Sequence, residues 1–249
     1  MSINFFSLRS DSYFKLFSIP HIITLFLITV SIIFILLLLK DRTEKIRFKF
    51  RLIIGISAIV LQYLYLIWLI VNDIFSIKTS LPLQICSISL ILVFFANITK
   101  NKFIINMLYF WGIIGGIYAI LFPNLLQGFP HFRFIEFFIA HWLILLTVFY
   151  FIFIEKHFIS FKDFLASYLI TILYLVIIFI INIILKSNYL FLNKKPFFNS
   201  FFDYFGNYYQ LWLVIALFLL FLILYIPFII FKFNILQNKS LQKKGFYYE

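Results

Sequence analysis

Two short polar stretches in an otherwise apolar sequence hold the side chains that could carry out chemistry. The first, residues 81–89, reads Leu-Pro-Leu-Gln-Ile-Cys-Ser-Ile-Ser and contains Cys86, the single cysteine of the chain. A thiolate is a strong nucleophile, and a neighbouring imidazole can accept the thiol proton as an acyl group is attacked. The second stretch, residues 129–141, ends in His141. The pair predicts acyl-transfer chemistry, with Cys86 as the nucleophile and His141 as general base and then acid.

Other polar side chains near these two stretches suit the binding of a lipid substrate. A guanidinium grips a phosphate with two hydrogen bonds, so Arg133 fits a phospholipid headgroup. An ion pair between Arg133 and Glu136, three residues apart, is compatible with that use. Side-chain donors at the start of the third apolar segment could stabilise an oxyanion. The predicted substrate-binding residues are Gln84, Ser87, Asn124, His131, Arg133 and Glu136.

Each of these side chains also has an ordinary structural explanation. A buried cysteine is more often a small hydrophobic residue than a nucleophile, and His131 could cap a helix at the membrane surface. A zinc site built from Cys86, His131, Glu136 and His141 is a further alternative. The histidines lack the short spacings of familiar zinc motifs, so we predict no metal and no cofactor. Non-enzymatic binding or transport of a small solute or lipid stays open, as does a structural or assembly role.

The composition identifies the class of protein. Of 249 residues, 64% are hydrophobic and only 12% are charged, which is more apolar than one soluble core can bury. The formal net charge of +12 comes from short basic clusters beside apolar segments, where they contact anionic lipid. We therefore expect a multi-pass protein of the cell membrane, with membrane lipids and no nucleic acid as partners. A homo-oligomer is left open.

A helix that spans a bilayer needs roughly 20 mainly apolar residues, and seven segments of the chain approach that length. They predict an all-α, polytopic membrane helical bundle with seven transmembrane helices in a single domain, residues 1–249. The predicted helices are 19–39, 52–71, 81–96, 103–122, 134–154, 164–185 and 211–230.

The distribution of Lys and Arg predicts an amino terminus outside and a carboxyl terminus in the cytoplasm. With that orientation fourteen basic residues lie inside and seven outside, and the polar stretches around Cys86 and His141 meet in the outer leaflet. The longest connection, residues 186–210, is expected to lie as an interfacial lid on the outer side. Gln62 and Asn182, within apolar segments, are expected to form interhelical hydrogen bonds.

The polar stretches resemble the bacterial YwaF-like integral membrane proteins that are grouped with the eukaryotic transmembrane protein 164 acyltransferases. The matching residues are 81–86, 109–112 with Gly115, and 129–134 with Phe137, Phe138 and His141. The resemblance implies a helical membrane protein whose eukaryotic relatives transfer fatty acyl groups between phospholipids, with an essential cysteine at the position of Cys86. More distant relatives hydrolyse fatty-acid esters. Bacterial members commonly carry histidine where this chain has Gln84. A phospholipid acyltransferase or acyl-ester hydrolase is therefore the expected function.

Overall fold

Seven α-helices make up the fold of the described chain. The computed structural model describes residues 5–195, 206 and 209–245, with side chains described to residue 233. The all-α prediction is confirmed, but the predicted number of transmembrane helices, seven, exceeds the six candidate spans among the described helices. The helices are α1 Ile19–Leu39, α2 Glu44–Val71, α3 Ile85–Thr99, α4 Lys102–Leu121, α5 Phe132–Phe153, α6 Phe161–Leu185 and α7 Tyr209–Gly245.

Six of these helices are long and apolar enough to cross a membrane. They are α1, α2, α4, α5, α6 and the part of α7 over Tyr209–Phe233, counted within the described residues. The protein is therefore a multi-pass membrane protein. The remaining helix, α3, has 15 residues. At a rise of about 1.5 Å per residue it is about 22 Å long, shorter than a hydrocarbon core of about 30 Å.

The third predicted helix, 81–96, is wrong in both of its bounds, because α3 begins at Ile85 and ends at Thr99. Proline at position 82 disfavours helical geometry in the residue before it, and Gln84 is extended with a ψ of 145°. The Leu81 N–H donates to the Tyr189 hydroxyl at 2.9 Å, and the Leu83 carbonyl accepts from the Tyr174 hydroxyl at 2.8 Å. Non-helical backbone at membrane depth needs such protein partners. The amino-terminal end of α3 is thus held by side chains of other segments.

Helices α4 and α5 form the centre of the bundle, since most of their side chains are buried. Their close approach depends on glycine. A Cβ added at Gly112 would lie 2.8 Å from Ile144 Cγ2, and one at Gly116 would lie 3.0 Å from Leu145 Cδ2. These glycines have the spacing that lets two membrane helices pack closely. Helix α3 packs against α2, α4 and α5, so its first turn borders this centre.

The two ends of the bundle differ in how they are closed. We call the end where α1, α3 and α5 begin the Cys86 end, and the opposite end the Arg51 end. Residues 5–18 lie across the Cys86 end. The Phe14 N–H donates to the Leu126 carbonyl at 2.7 Å, and the Gly128 N–H donates to the Ser12 carbonyl at 2.7 Å. The amino-terminal segment is therefore fixed to the connection between α4 and α5.

The connection after α6 begins with a network around Asn182. The Asn182 Oδ1 accepts hydrogen bonds from the Ser187 hydroxyl at 2.8 Å and from the Tyr189 N–H at 2.7 Å. Asn182 therefore fixes the end of its own helix, whereas the sequence predicted a bond to another helix. Within the predicted interfacial lid, residues 186–210, the ranges 196–205 and 207–208 lie outside the described residues.

Candidate functional site

Cys86 lies in the first turn of α3, two residues after the N-cap Gln84. The first N–H groups of a helix have no partner within the helix. Gln84 makes no side-chain cap, and the N–H groups of Ile85, Cys86 and Ser87 have no partner among the described residues. Free N–H groups and the positive end of the helix dipole favour a negatively charged group at this position. The thiol therefore stands beside a set of donors suited to an oxyanion.

Glycine on α4 provides the space for the thiol. A Cβ added at Gly115 would lie 3.4 Å from the Cys86 Sγ. The next residue, Gly116, contacts Leu145 of α5. The thiol of α3 and the side chains of α5 thus meet α4 at the same height, and Cys86 itself is half-buried.

His141 is buried one turn before Leu145 on α5. Its Nδ1 lies 2.7 Å from the Phe137 carbonyl oxygen. Because a carbonyl only accepts, Nδ1 carries the proton and Nε2 keeps the lone pair of the neutral ring. His141 precedes Leu145 by four residues, which is about one helical turn or 5.4 Å. The imidazole therefore lies about one turn nearer to the Cys86 end than Leu145 does. Within the described residues no hydrogen bond joins the Cys86 thiol to this ring.

Ser89 follows Cys86 by three residues and therefore lies on an adjoining part of the same helix face. Its side chain is only 1% exposed, yet its hydroxyl has no hydrogen-bond partner. The hydroxyls of Thr24 and Thr171, by contrast, each donate at 2.7 Å to the carbonyl four residues earlier. An unused buried hydroxyl costs free energy. Ser89 belongs to the polar stretch that the sequence singled out, and the structure adds that its buried hydroxyl is unpartnered near the thiol.

Arg133 and Glu136 form the ion pair expected from their spacing. The guanidinium carbon of Arg133 lies 4.1 Å from the centre of the Tyr65 ring and 5.4 Å from that of Trp68. These aromatic contacts hold the guanidinium plane in position. The Nε and Nη2 groups of Arg133 make no hydrogen bond with the described residues. The side chain therefore keeps donors for a further anion.

His131 is the N-cap of α5, and both of its ring nitrogens are engaged with the backbone. Nε2 lies 2.8 Å from the Ser7 carbonyl oxygen, and Nδ1 accepts from the Arg133 N–H at 3.1 Å. The ring thus ties the amino-terminal segment to α5 and has no nitrogen left for a ligand in this arrangement.

The remaining predicted site residues lie at other places. Asn124 is exposed in the connection between α4 and α5. Gln84 and Ser87 are half-buried and share a helix face with Ile91, because their spacings are three and four residues. Ile91 lines a cavity between α3 and α2. These two polar side chains therefore lie on a different face of α3 from the contact of Cys86 with α4.

A buried ion network at the Arg51 end was missed by the sequence analysis. The Arg51 guanidinium, 3% exposed, donates to Glu44 at 2.9 Å, to Glu155 at 3.1 Å and to the Tyr150 hydroxyl at 3.2 Å. Lys100 Nζ contacts Glu44 at 2.9 Å and Glu155 at 2.8 Å. Burial opposes the charge on Glu155, but hydrogen bonds from Lys100 and Tyr150 lower its pKa below the ordinary value. Two positive and two negative charges thus compensate one another.

No group of three or more His, Cys, Asp and Glu side chains that could hold a metal ion occurs in the part of the chain that the structure describes.

Comparison with known families adds one finding. The model of the TMEM164 family matches residues 16–225, which include both Cys86 and His141. No curated protein and no solved structure compared with the chain matches it.

Proposed function

Because the chain belongs to the TMEM164 family, we propose that this multi-pass membrane protein transfers or hydrolyses fatty acyl groups of phospholipids through Cys86 and His141. The observation that carries the proposal is the position of Cys86, whose thiol lies beside the unpartnered N–H groups of the first turn of α3. A nucleophile next to preorganised donors is the arrangement that acyl transfer requires. We also propose that the chain belongs to the YwaF-like bacterial members of this family.

The proposed first step forms a thioester. The Cys86 sulfur attacks the ester carbon, and its proton passes to His141 Nε2. The backbone N–H groups of Ile85 and Cys86 stabilise the oxyanion, whereas the Gln84 and Ser87 side chains, expected as further donors, lie on a different face of α3. The tetrahedral intermediate then collapses, the carbon–oxygen bond breaks, and His141 returns the proton to the leaving alkoxide. Catalytic hydrogen bonds often tighten only when substrate binds, so the substrate is expected to draw the thiol and the imidazole together.

The second step releases the acyl group. A hydroxyl of an acceptor lipid, or water, attacks the thioester carbon while His141 takes its proton. The Cys86 thiolate leaves and is reprotonated by the imidazolium. An acceptor lipid gives acyl transfer, and water gives hydrolysis.

Arg133 is the proposed phosphate-binding residue. Its free guanidinium donors, Nε and Nη2, suit two hydrogen bonds to a phosphate while Nη1 stays paired with Glu136. The proposed orientation has the amino terminus outside, so the Cys86 end faces the outer leaflet. A phospholipid would then reach the site sideways from that leaflet.

The test is the acyl composition of phospholipids in cells that express wild type or Cys86→Ala at equal abundance. The proposal predicts a change that depends on Cys86, and the matched control Thr24→Ala, on the outer surface of α1, should behave as wild type. Identical lipid profiles for wild type and Cys86→Ala, with both proteins folded, would contradict it.

A second candidate is a non-enzymatic component that binds or transports a lipid. The absence of a hydrogen bond between the Cys86 thiol and His141, among the described residues, favours this candidate. It predicts that Cys86→Ser leaves saturable lipid binding or uptake unchanged and that no acyl group becomes attached to the protein.

A further inference from the structure

We propose that the cavity between α2 and α3 binds one acyl chain of the lipid substrate and that Ile59 limits the length of that chain. The cavity has a volume of about 270 Å³. Ile59, Leu66 and Leu69 of α2 line it, together with Pro82 and Ile91. The proposal rests on the proposed function for the fate of the chain, but chain binding can be measured separately.

The dimensions of the cavity fit a single extended chain. Ile59 and Leu69 are ten residues apart on α2, a distance of about 15 Å, which is half of a hydrocarbon core of about 30 Å. A water-sized group takes about 30 Å³ in a liquid, so the volume holds roughly nine such groups. An apolar space of this length and volume suits methylene groups in a row better than a compact polar solute.

The cavity runs along the face of α3 that carries Ser87 and Ile91, so the ester of a bound chain would lie at the first turn of α3, with the Cys86 thiol on the other side of that turn. Pro82, at one end of the cavity, lies just before the first turn of α3. Ile91, deeper in the cavity, follows Ser87 by four residues on the same helix face. A chain lying along this face has its carbonyl end at the free N–H groups of the first turn. Cys86 would then reach the ester carbon from the side of α4.

Both an opening and a headgroup position are present at this cavity. Tyr63, in the cavity wall, is 61% exposed, so the wall borders the lipid. Tyr65 also lines the cavity, and Arg133 stacks on its ring at 4.1 Å. A chain in the cavity therefore has the proposed phosphate-binding residue near its polar end. Gln62, expected to bond another helix, lines the cavity and makes no hydrogen bond with the described residues.

The test uses photoactivatable phosphatidylcholines with a ten-carbon or a sixteen-carbon labelled chain, in vesicles that hold the full-length protein. Wild type should be labelled by both lipids on peptides of α2 and α3. Ile59→Trp fills the far end of the cavity and should lower labelling by the sixteen-carbon chain at least fivefold, with little change for the ten-carbon chain. Ile91→Phe narrows the same cavity from α3 and should act in the same direction.

The matched control is Ile56→Trp, which adds the same bulk to α2 at a position that is 48% exposed to lipid. It should label as wild type. Unchanged sixteen-carbon labelling in both Ile59→Trp and Ile91→Phe, or labelling of wild type outside α2 and α3, would overturn the proposal.

Chain binding and catalysis can fail separately. Cys86→Ala should keep chain labelling and lose any attached acyl group, which supports the chain site. Chain labelling in wild type without an acyl group on Cys86 would contradict the proposed function and leave the chain site standing. An acyl group on Cys86 together with chain labelling outside the cavity would support the proposed function and contradict the chain site.

Discussion

The two ends of the bundle differ in how far their charged and polar groups are paired, although one buried oxygen beside Arg51, Asn97 Oδ1, also lacks a hydrogen-bond partner. At the Arg51 end, four charged side chains pair with one another, and Arg51 is almost fully buried within the network. At the Cys86 end, the first N–H groups of α3 and the Ser89 hydroxyl have no partner in the described chain. Satisfied networks hold a fold together, whereas unsatisfied buried groups cost stability and persist where they serve another purpose. We therefore expect substitutions at the Arg51 end to act mainly on stability, and substitutions at the Cys86 end to act mainly on the proposed activity.

The largest expected effect on the Cys86 end comes from His141→Ala. Removal of a general base typically lowers a rate by about 10² to 10⁴-fold, and we expect a loss of acyl transfer in that range. The thermal unfolding midpoint in detergent should change little by comparison. His157→Asn is the control, because His157 contacts Asn106 at the opposite end. Equal activity of His141→Ala and wild type would remove His141 from the mechanism.

The matching change at the Arg51 end is Arg51→Met, which should reduce stability and leave the activity per folded molecule intact. Removing one partner of a buried charge network costs about 3 to 5 kcal/mol, and we expect the lower part of that range because Glu155 keeps Lys100. Glu44→Gln should cost less than about 1 kcal/mol, because Glu44 is 59% exposed. Urea unfolding in detergent measures both. A stable but inactive Arg51→Met would break the division between the two ends.

Two glycines of α4 provide a smaller and closely matched test. Gly112→Ala should destabilise the protein by about 1 to 3 kcal/mol through overpacking, because its Cβ would lie 2.8 Å from Ile144. Gly115→Ala adds a methyl 3.4 Å from the Cys86 Sγ and should mainly lower activity. Thermal unfolding and acyl-transfer rates of the two variants separate these effects. If Gly115→Ala destabilises the protein but the folded molecules are fully active, then the space beside the thiol matters for helix packing and not for catalysis.

The smallest expected effect is a dependence of stability on pH at the Arg51 end. The pKa of Glu155 is lowered in the folded state, since hydrogen bonds from Lys100 and Tyr150 outweigh its burial. Its contribution to stability is therefore complete above the unfolded pKa of about 4.3 and is lost as the pH falls through the lower folded value. The unfolding midpoint should change little from pH 6 to about pH 4.3 and drop as the pH falls below that value, and the drop should be smaller in Glu155→Gln. An equal drop in that variant would assign the effect to other groups.

The sequence predicted the apolar helices well because membrane spans depend on length and hydrophobicity. It misplaced the start of α3, because residues 81–84 adjoin an apolar run but take a non-helical path held by Tyr174 and Tyr189. Those hydroxyls come from distant parts of the chain, so no local pattern indicates them. The error matters, because the corrected start puts Cys86 into the first helical turn.

The sequence also assigned Lys and Arg near helix ends to the membrane surface alone. Arg51 shows the limit of that rule, since it pairs with Glu44 of its own helix and with Glu155, which follows α5. The spacing of seven residues between Glu44 and Arg51 on α2 was the available local signal. His21 is similar, with Nε2 at 2.8 Å from the Ile120 carbonyl and Nδ1 accepting from the Phe17 N–H. Only the packing of α1 against the end of α4 reveals that role.

The most direct test of the central claim is the mass of the protein after incubation with an activated acyl ester or a phospholipid that carries a labelled chain. The account predicts one acyl group attached to Cys86, sensitive to neutral hydroxylamine as a thioester should be, and absent from Cys86→Ala. It also predicts slower attachment in His141→Ala. An unmodified Cys86 in a folded protein that binds the lipid, or an acyl group attached elsewhere, would contradict the account.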